Sequence, residues 1–181
     1  ADVGGLPEVI EDGDTFEHNA RKKALEIATA KQVAVISDDS GLEVDALDGR
    51  PGVRSARYAG EHARDLDNNR KLIAELTAVP PELRTARDRV VLAFFDPLAT
   101  PAPVLHLSHG RCEGRMRSAS SGDGGFGYDP YFEPQGHNCT MAELPAGEKN
   151  RISHRARAAL GMRDFLADYL AQLAARNARS L

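Results

Sequence analysis

Apolar side chains near the start of the chain recur at the spacing of a helix. They share one helical face between residues 16 and 31: Phe16, Ala20, Ala24, Ile27 and Ala28. Apolar residues three and four positions apart over a window of this length are typical of an amphipathic helix. Thr15 stands just before this window, and its hydroxyl can accept a hydrogen bond from a free backbone N–H of the first turn. We therefore predict a helix from Phe16 to about Lys31.

An apolar run, Val33 to Ile36, follows this helix and leads into Ser37-Asp38-Asp39-Ser40-Gly41. The run predicts a buried strand over 33–37 that ends at a charged turn, with a second short strand near 42–46. In open α/β sheets, ligands bind at the carboxyl ends of strands. Two adjacent carboxylates are costly to bury without a cation, a base or hydrogen bonds. Taken alone, the pair is equally consistent with a solvated polar turn.

Helix-like and strand-like segments alternate along the rest of the chain. The pattern predicts helices over about 65–78 and 153–177, and strands over 89–96, 104–108 and 111–117. Gly110 is predicted to form the turn between the last two strands. The core-facing side of the final helix is predicted to carry Ala156, Leu160, Leu166, Leu170 and Leu173. This alternation favours an α/β domain with a central sheet.

Composition narrows the possible functions. The 181 residues suit one domain, and their hydrophobic content of 41% with 28% charged residues is ordinary for a soluble globular protein. A formal net charge of −4 argues against a nonspecific nucleic-acid binder. We find no apolar stretch of membrane-spanning length and no signal-peptide pattern. Cys112 and Cys139 form neither a disulfide framework nor a metal-type pair, so we expect a cytoplasmic protein with no membrane or nucleic-acid partner.

A glycine-rich segment, Gly124-Gly125-Phe126-Gly127-Tyr128-Asp129-Pro130, is a candidate ligand loop. Glycines allow close backbone approach to a ligand and leave N–H groups free to bind it. An aromatic ring between two glycines can stack on a planar base, and Asp129 could accept a hydrogen bond from the ligand. A flexible hairpin loop with Phe126 inserted into the core explains the pattern slightly better without further support.

The segment from Glu148 to Arg155 is a second candidate site. Ser153 is a plausible helix N-cap, which would place His154 and Arg155 in the first helical turn. Cations there are unfavourable to the helix dipole, so a structural role explains them poorly. A helix start with Lys149, His154 and Arg155 nearby is suited to an anionic or polar ligand.

Acidic residues suggest a third site, for a hard divalent cation. Mg²⁺ prefers a few carboxylate oxygens together with water and substrate phosphates. One acid from each of two segments would suffice: Glu8, Glu11, Asp12 and Asp14 before the first helix, and Asp38 and Asp39 after the first strand. Of these, Asp14 is better explained as a helix-start charge. Lys22 and Lys23 lie in the middle of the helix, and one of them should point toward the strand.

Together these segments resemble the non-canonical purine nucleoside triphosphate pyrophosphatases, enzymes that act on inosine and xanthosine triphosphates. The resemblance covers almost the whole chain. It rests on motifs in the family's order and spacing: Asp-Thr-Phe-x-x-Asn-Ala (14–20), Asp-Asp-Ser-Gly-Leu-x-Val-Asp-Ala-Leu-x-Gly-x-Pro-Gly-Val-x-Ser-Ala-Arg-Tyr (38–58), Gly-Gly-Phe-Gly-Tyr-Asp-Pro (124–130) and Glu-Lys-x-x-Ile-Ser-His-Arg (148–155). Any one of these motifs is modest evidence, and all of them in register are strong evidence.

The resemblance implies Mg²⁺-dependent hydrolysis of the triphosphate to the monophosphate and pyrophosphate, which cleanses the nucleotide pool. It implies a homodimer and an elongated two-lobed α/β domain with a central mixed sheet, flanking helices and a nucleotide cleft. Glu11 and Asp39 would hold the metal, with Asp39 as the base for water and Asp38 supporting it. The implied substrate-binding residues are Ser40 and Lys23 at the phosphates, Phe126, Gly127, Tyr128 and Asp129 at the nucleoside, and Lys149, His154 and Arg155 at the 6-oxo edge.

One departure from the family pattern bears on activity. The family begins with a strand and a loop of the type Thr-x-x-Asn-x-x-Lys that cradles the triphosphate, roughly thirty residues before the first residue of this chain. No match to that segment occurs in residues 1–181. If this strand, loop and helix are missing, we expect a bare sheet edge near Val33–Ile36 and weak turnover. A nucleotide-binding module that has lost catalysis with this segment is therefore one alternative function. A general phosphatase acting on phosphomonoesters is a second, separate alternative.

Overall fold

One antiparallel sheet runs through the computed structural model, which describes residues 4–179. Its strands are adjacent in chain order: β1 (Val35–Val44), β2 (Thr85–Asp96), β3 (Val104–Met116) and β4 (Phe132–Pro134). The α-helices are α1 (Phe16–Lys31), α2 (Asp65–Glu75), α3 (Ala146–Ile152) and α4 (His154–Arg179). The α/β class with a central sheet and flanking helices is confirmed. The described strands all pair antiparallel, however, where a mixed sheet was expected.

Helix α1 has the predicted bounds and the predicted cap. The Thr15 hydroxyl accepts a hydrogen bond from the backbone N–H of His18 at 3.1 Å. Ala20 and Ala24 are fully buried, and these small side chains let the helix lie close to the sheet. The Ser37 hydroxyl donates to the carbonyl oxygen of Ala20 at 2.6 Å, which ties the helix to β1. We therefore find α1 held against one face of the sheet, here named the α1 face.

The predicted turn at the acidic pair is wrong, because β1 continues through it. Each residue from Val35 to Val44 has a partner on β2, so the polar stretch keeps its ladder of backbone pairing. Side chains of a strand alternate between the two faces of a sheet. Asp39 therefore lies on the α1 face, where it is buried, whereas the Asp38 side chain lies on the opposite face and is 48% exposed. A polar composition did not end this strand.

Gly110 does not form a turn either, since β3 is continuous from Val104 to Met116. It pairs with Val90 in the middle of the sheet. A side chain at this position would collide with the backbone carbonyl of His154 and the backbone nitrogen of Ala158. Glycine is required here because the first turns of α4 lie directly on β3. This second face of the sheet is named the α4 face.

The predicted core side of α4 is also wrong. Ala158 and Met162 are buried, and Phe165 and Tyr169 make ring contacts with Phe94 of β2. These residues follow the spacing i, i+4, i+7 and i+11 of a single helical stripe. Leu160 and Leu170 are half exposed, and the predicted Ala156, Leu166 and Leu173 are only partly buried. The backbone of α4 lies against Gly110, and this contact determines which side of the helix faces the sheet. The positions of the leucines did not indicate that side.

Each face of the sheet carries its own apolar cluster. Phe16, Ala20 and Ala24 pack with Val91 and Ala93 on the α1 face. The cluster on the α4 face is larger and includes Leu42, Leu72, Leu76, Phe132 and Met141. Strand β1 forms an edge of the described sheet, and Ile36 is 49% exposed there. Over residues 4–179, no helix is long and apolar enough to cross a membrane.

Candidate active site

A cavity of about 330 Å³ opens on the α4 face. Strands β1 and β2, the glycine-rich loop and the start of α4 all contribute to its wall. Its lining includes predicted site residues from the motifs over 38–58, 124–130 and 148–155: Ser40, Phe126, Asp129, Lys149, His154 and Arg155. Residues far apart in the chain are thus brought to one concave site, which is where small-molecule ligands bind.

The glycine-rich loop is a fixed structure around Asp129. The Asp129 carboxylate accepts hydrogen bonds from the backbone N–H of Phe126 at 2.8 Å and from Lys149 at 2.5 Å. Gly125 has a φ of 79°, and a side chain there would collide with both Asp129 and Lys149. The Asp129–Lys149 ion pair links the loop to α3, and it depends on the absence of a side chain at Gly125.

Phe126 projects from this loop into solvent at the mouth of the cavity. Its exposed fraction is 61%, so the alternative that the ring is inserted into the core is wrong. The Lys149 ammonium and the Arg155 guanidinium lie 5.1 Å and 5.3 Å from its ring centre. The ring is therefore free to stack on a planar group, with cations beside it.

Gly127 and Tyr128 hold the loop in position. The Gly127 N–H donates to Asp65 at 2.6 Å, and its carbonyl accepts from Asn69 at 2.8 Å. The Tyr128 hydroxyl donates to the backbone carbonyl of Ser55 at 2.9 Å, and burial raises its pKa well above the usual value. Both residues line the cavity, but these polar groups are already bonded within the protein.

The start of α4 supplies donors to the cavity. The Ser153 hydroxyl accepts from the backbone N–H of Ala156 at 3.2 Å, so the predicted cap is confirmed. Burial, Arg155 and Lys149 together lower the pKa of His154 to about 3, so its ring is neutral. Arg155 donates to the Ser40 hydroxyl at 2.7 Å and lies 3.5 Å from the Asp38 carboxylate.

A second polar cluster lies on the α1 face. Lys23 bridges two carboxylates, with its ammonium 2.6 Å from Glu11 and 3.8 Å from Asp39. Lys22 instead pairs with Asp12 at 2.7 Å, so Lys23 is the lysine that points toward the strand. Burial raises the pKa of Asp39, and the nearby Glu11 charge adds to this, while a hydrogen bond from Asn19 and the charge of Lys23 oppose it.

Asn19 belongs to the motif over 14–20, but the sequence analysis assigned it no role in the site. Its amide donates to Asp39 at 3.0 Å and accepts from the backbone N–H of Gly13 at 2.8 Å. It thereby joins the segment that carries Glu11 to the strand that carries Asp39. A buried asparagine in the middle of a helix was the available signal, because such an amide needs a specific partner.

Asp88 on β2 was also missed. Its carboxylate lines the cavity, and its side chain is only 13% exposed. Burial, reinforced by the charge of Asp129, raises its pKa to about 7, against the opposing charges of Arg155 and Lys149. The predicted strand started at Arg89, so this acid lay just outside it. The available signal in the sequence was the position of Asp88, an acidic residue directly before the apolar strand predicted over 89–96.

The donor set on the α1 face fits a hard divalent cation. Glu11 and Asp39 supply carboxylate oxygens from two segments, and Mg²⁺ is commonly held by one or two carboxylates plus substrate phosphates. Within the part of the chain that the structure describes, no group of three or more His, Cys, Asp or Glu side chains is placed to hold a metal ion. A cation would therefore need further ligands from substrate and water.

Comparison with known proteins finds a matching family and named relatives. Residues 1–165 match the model of the Ham1 family. Proteins named dITP/XTP pyrophosphatase in Shouchella clausii and Geobacter sulfurreducens are 51% and 48% identical over 165 residues. Each alignment covers 91% of this chain and 81% of the relative.

Solved structures show the same fold. A Ham1 protein from Staphylococcus aureus is 39% identical with a TM-score of 0.83, over 90% of this chain and 81% of that one. A nucleoside-triphosphatase/dITP/XTP pyrophosphatase from Mycobacterium abscessus is 41% identical with a TM-score of 0.76, over 89% and 80%. The family match, the sequence relatives and the fold agree: this chain belongs to the Ham1 family.

Proposed function

We infer that this chain hydrolyses non-canonical purine nucleoside triphosphates, namely inosine and xanthosine triphosphates and their deoxy forms, to the monophosphate and pyrophosphate. Relatives that align with most of the chain carry the name dITP/XTP pyrophosphatase, which supports this substrate class. The observation that carries the proposal is the adjacency of Asp39 and Ser40 on β1. Ser40 lines the cavity, whereas Asp39 belongs to the carboxylate cluster, so one strand serves both sites.

The base would occupy the cavity on the α4 face. Phe126 would stack on the purine, Gly127 and Tyr128 would hold the loop against it, and Asp129 would accept from the nucleoside. Lys149, His154 and Arg155 would donate to the 6-oxo edge. Donors aimed at an oxygen favour 6-oxopurines over adenine, because a 6-amino group would leave them unpaired. Their position around one cavity supports this assignment.

Hydrolysis would take place at the cluster on the α1 face. Glu11 and Asp39 would hold Mg²⁺, which when bound neutralises phosphate charge. Asp39 would orient the attacking water and accept its proton. Lys23 would move from its carboxylate partners to a phosphate oxygen. On the α4 face, Ser40 would donate to another phosphate oxygen from the cavity wall, and Asp38 would orient Arg155.

Three further expectations belong to this proposal. The described chain would act as a single catalytic domain, would form a homodimer and would work in the cytoplasm. A net charge of −4 is consistent with a nucleotide substrate bound by a local group of cations and with no nucleic-acid partner. A sizing measurement with light scattering would test the dimer.

The proposed function is tested by a panel of inosine, xanthosine, guanosine and adenosine triphosphates with Mg²⁺, scored for both pyrophosphate and orthophosphate. We expect pyrophosphate release from inosine and xanthosine triphosphates, and loss of that release when a chelator removes the metal. Orthophosphate as the only product would instead support a general phosphatase. Mg²⁺-dependent binding without either product would support a binding module with impaired catalysis.

A further inference from the structure

Asp88 is an acidic group in the cavity to which the proposed reaction gives no role. It lies in the middle of the sheet, between Leu42 on β1 and Cys112 on β3. Burial raises the pKa of Cys112 to about 11, so this neighbour is a neutral thiol. An ionisable carboxylate beside apolar neighbours is costly unless a ligand or a charged group uses it. Its position on the cavity wall points to a ligand.

The neighbouring His154 has a defined proton position. Arg155 lies 3.1 Å from its Nε2, and a guanidinium can only donate. Nε2 therefore accepts, and the proton of the neutral ring lies on Nδ1. Nδ1 is buried and has no hydrogen-bond partner among the residues that the structure describes. It lies 3.7 Å from an oxygen of Asp88, too far for a hydrogen bond between them.

The wall thus presents one donor and one acceptor side by side. A separation of 3.7 Å suits two groups that bind neighbouring atoms of one ring edge. We propose that Asp88 is a specificity-determining residue that accepts the N1–H of a 6-oxopurine while His154 Nδ1 donates to the adjacent O6. This inference rests on the proposed function, because it takes a purine as the ligand. Adenine reverses the pattern at both atoms, with an amino donor at position 6 and a lone pair at N1.

Protonation of Asp88 would weaken this discrimination. The charged groups that face it are Asp129, Lys149 and Arg155, and their net effect with burial places its pKa at about 7. Below this pH the carboxyl carries a proton and can donate to N1 of adenine. Above it the carboxylate only accepts, so the preference for inosine over adenosine substrates should rise with pH through about 7. The phosphates of the two nucleotides titrate alike, so their effect cancels in the ratio.

The decisive experiment compares the wild type with Asp88→Asn, which keeps the shape and lets an amide either donate or accept. The measurement is kcat/KM for inosine triphosphate divided by kcat/KM for adenosine triphosphate, between pH 6 and pH 8, where the inosine N1–H keeps its proton. We expect the variant to lower this ratio about tenfold or more at the upper pH and to abolish its pH dependence. Glu43→Gln is the control, since Glu43 pairs with Arg87 and Arg89 on the other face.

An unchanged ratio in a folded Asp88→Asn protein would overturn the proposal. A pH-independent ratio in the wild type would do so without any variant. Equilibrium binding of inosine and adenosine monophosphates gives a readout independent of hydrolysis. If the wild type binds the inosine form more tightly and Asp88→Asn loses that preference, Asp88 has this role even if pyrophosphate is not released. Equal loss in both monophosphates would indicate a merely structural role and contradict the proposal.

Discussion

The two faces of the sheet carry different sets of charged side chains. On the α1 face, the carboxylates of Glu11 and Asp39 share one ammonium, that of Lys23, which leaves net negative charge for a cation. On the α4 face, Lys149 and Arg155 flank an exposed aromatic ring, which leaves donors for an electron-rich ring edge. Alternation along β1 keeps these environments apart although Asp39 and its neighbours are consecutive. Hydrolysis and base choice should therefore be separable by mutation.

Asp39→Asn is expected to have the largest effect, because it should lower kcat while leaving nucleotide binding nearly unchanged. An amide keeps the size of the side chain but is neither a base nor a strong metal ligand, so kcat should fall by roughly 10³-fold. Nucleotide binding to the cavity on the other face should change little. Steady-state pyrophosphate release and equilibrium binding of inosine monophosphate check both parts.

Asp38→Asn is the matched control for this prediction. Asp38 is the adjacent carboxylate, but it lies on the α4 face beside Arg155. We expect a much smaller loss of kcat than for Asp39→Asn. Equal losses in the two variants would contradict the separation of the faces.

Gly110→Ala should disrupt the packing of α4 against the sheet. The added methyl group would overlap the carbonyl oxygen of His154, so α4 must move away from β3. We expect a loss of about 1–3 kcal/mol in the free energy of unfolding, together with weaker discrimination between bases. Chemical denaturation measures the first effect, and the nucleotide panel measures the second.

Gly147→Ala is the control for the packing argument. Gly147 lies in α3, and a side chain there would meet nothing within 4 Å. This variant should be as stable as the wild type or slightly more stable, because alanine is favoured over glycine in helices. A loss equal to that of Gly110→Ala would show that contact with α4 is not the cause.

Phe126→Ala tests the cavity without touching the carboxylate cluster. Loss of a stacking ring should raise KM for inosine triphosphate about tenfold, since stacking on a base contributes about 1–3 kcal/mol. The ring is exposed, so stability should change little. Phe126→Tyr should retain near-normal KM. A fall in kcat with unchanged KM would place the ring in the hydrolytic step and contradict this division.

The smallest effect is expected from Thr15→Ala on the α1 face. Loss of the cap on α1 should lower the free energy of unfolding by about 1 kcal/mol. Because α1 carries Asn19 and Lys23, any effect on activity should be in kcat rather than in base preference. Thr15→Ser preserves the hydroxyl and should restore stability in thermal denaturation.

Local signals were sufficient for some parts of this molecule. The bounds and cap of α1 followed from apolar spacing and Thr15, because both depend on neighbouring residues. The cap at Ser153 followed for the same reason. The continuation of β1 through Asp38 and Asp39 depends on pairing with a strand about fifty residues away, which no local pattern contains.

The candidate site shows the same limit. Its individual members were found through local glycine, charge and capping patterns and through resemblance to a family, while the distribution of Asp38 and Asp39 over two faces required the strand register. Asp88 and Asn19 were missed because their importance comes from burial beside distant groups, such as His154 and Asp39. Charge patterns in the sequence identify candidate site residues, but only the packed structure shows which of their side chains are buried away from solvent.

The alternation of β1 has a consequence for how this site can change. Replacing a residue in 38–41 alters one face, but inserting or deleting one residue would transfer every later side chain of the strand to the opposite face. Ser40 would then leave the cavity wall, and a residue next to it in the chain would occupy its place. The length of this segment should therefore be far more constrained than its composition, and drift in substrate preference should proceed by substitution alone.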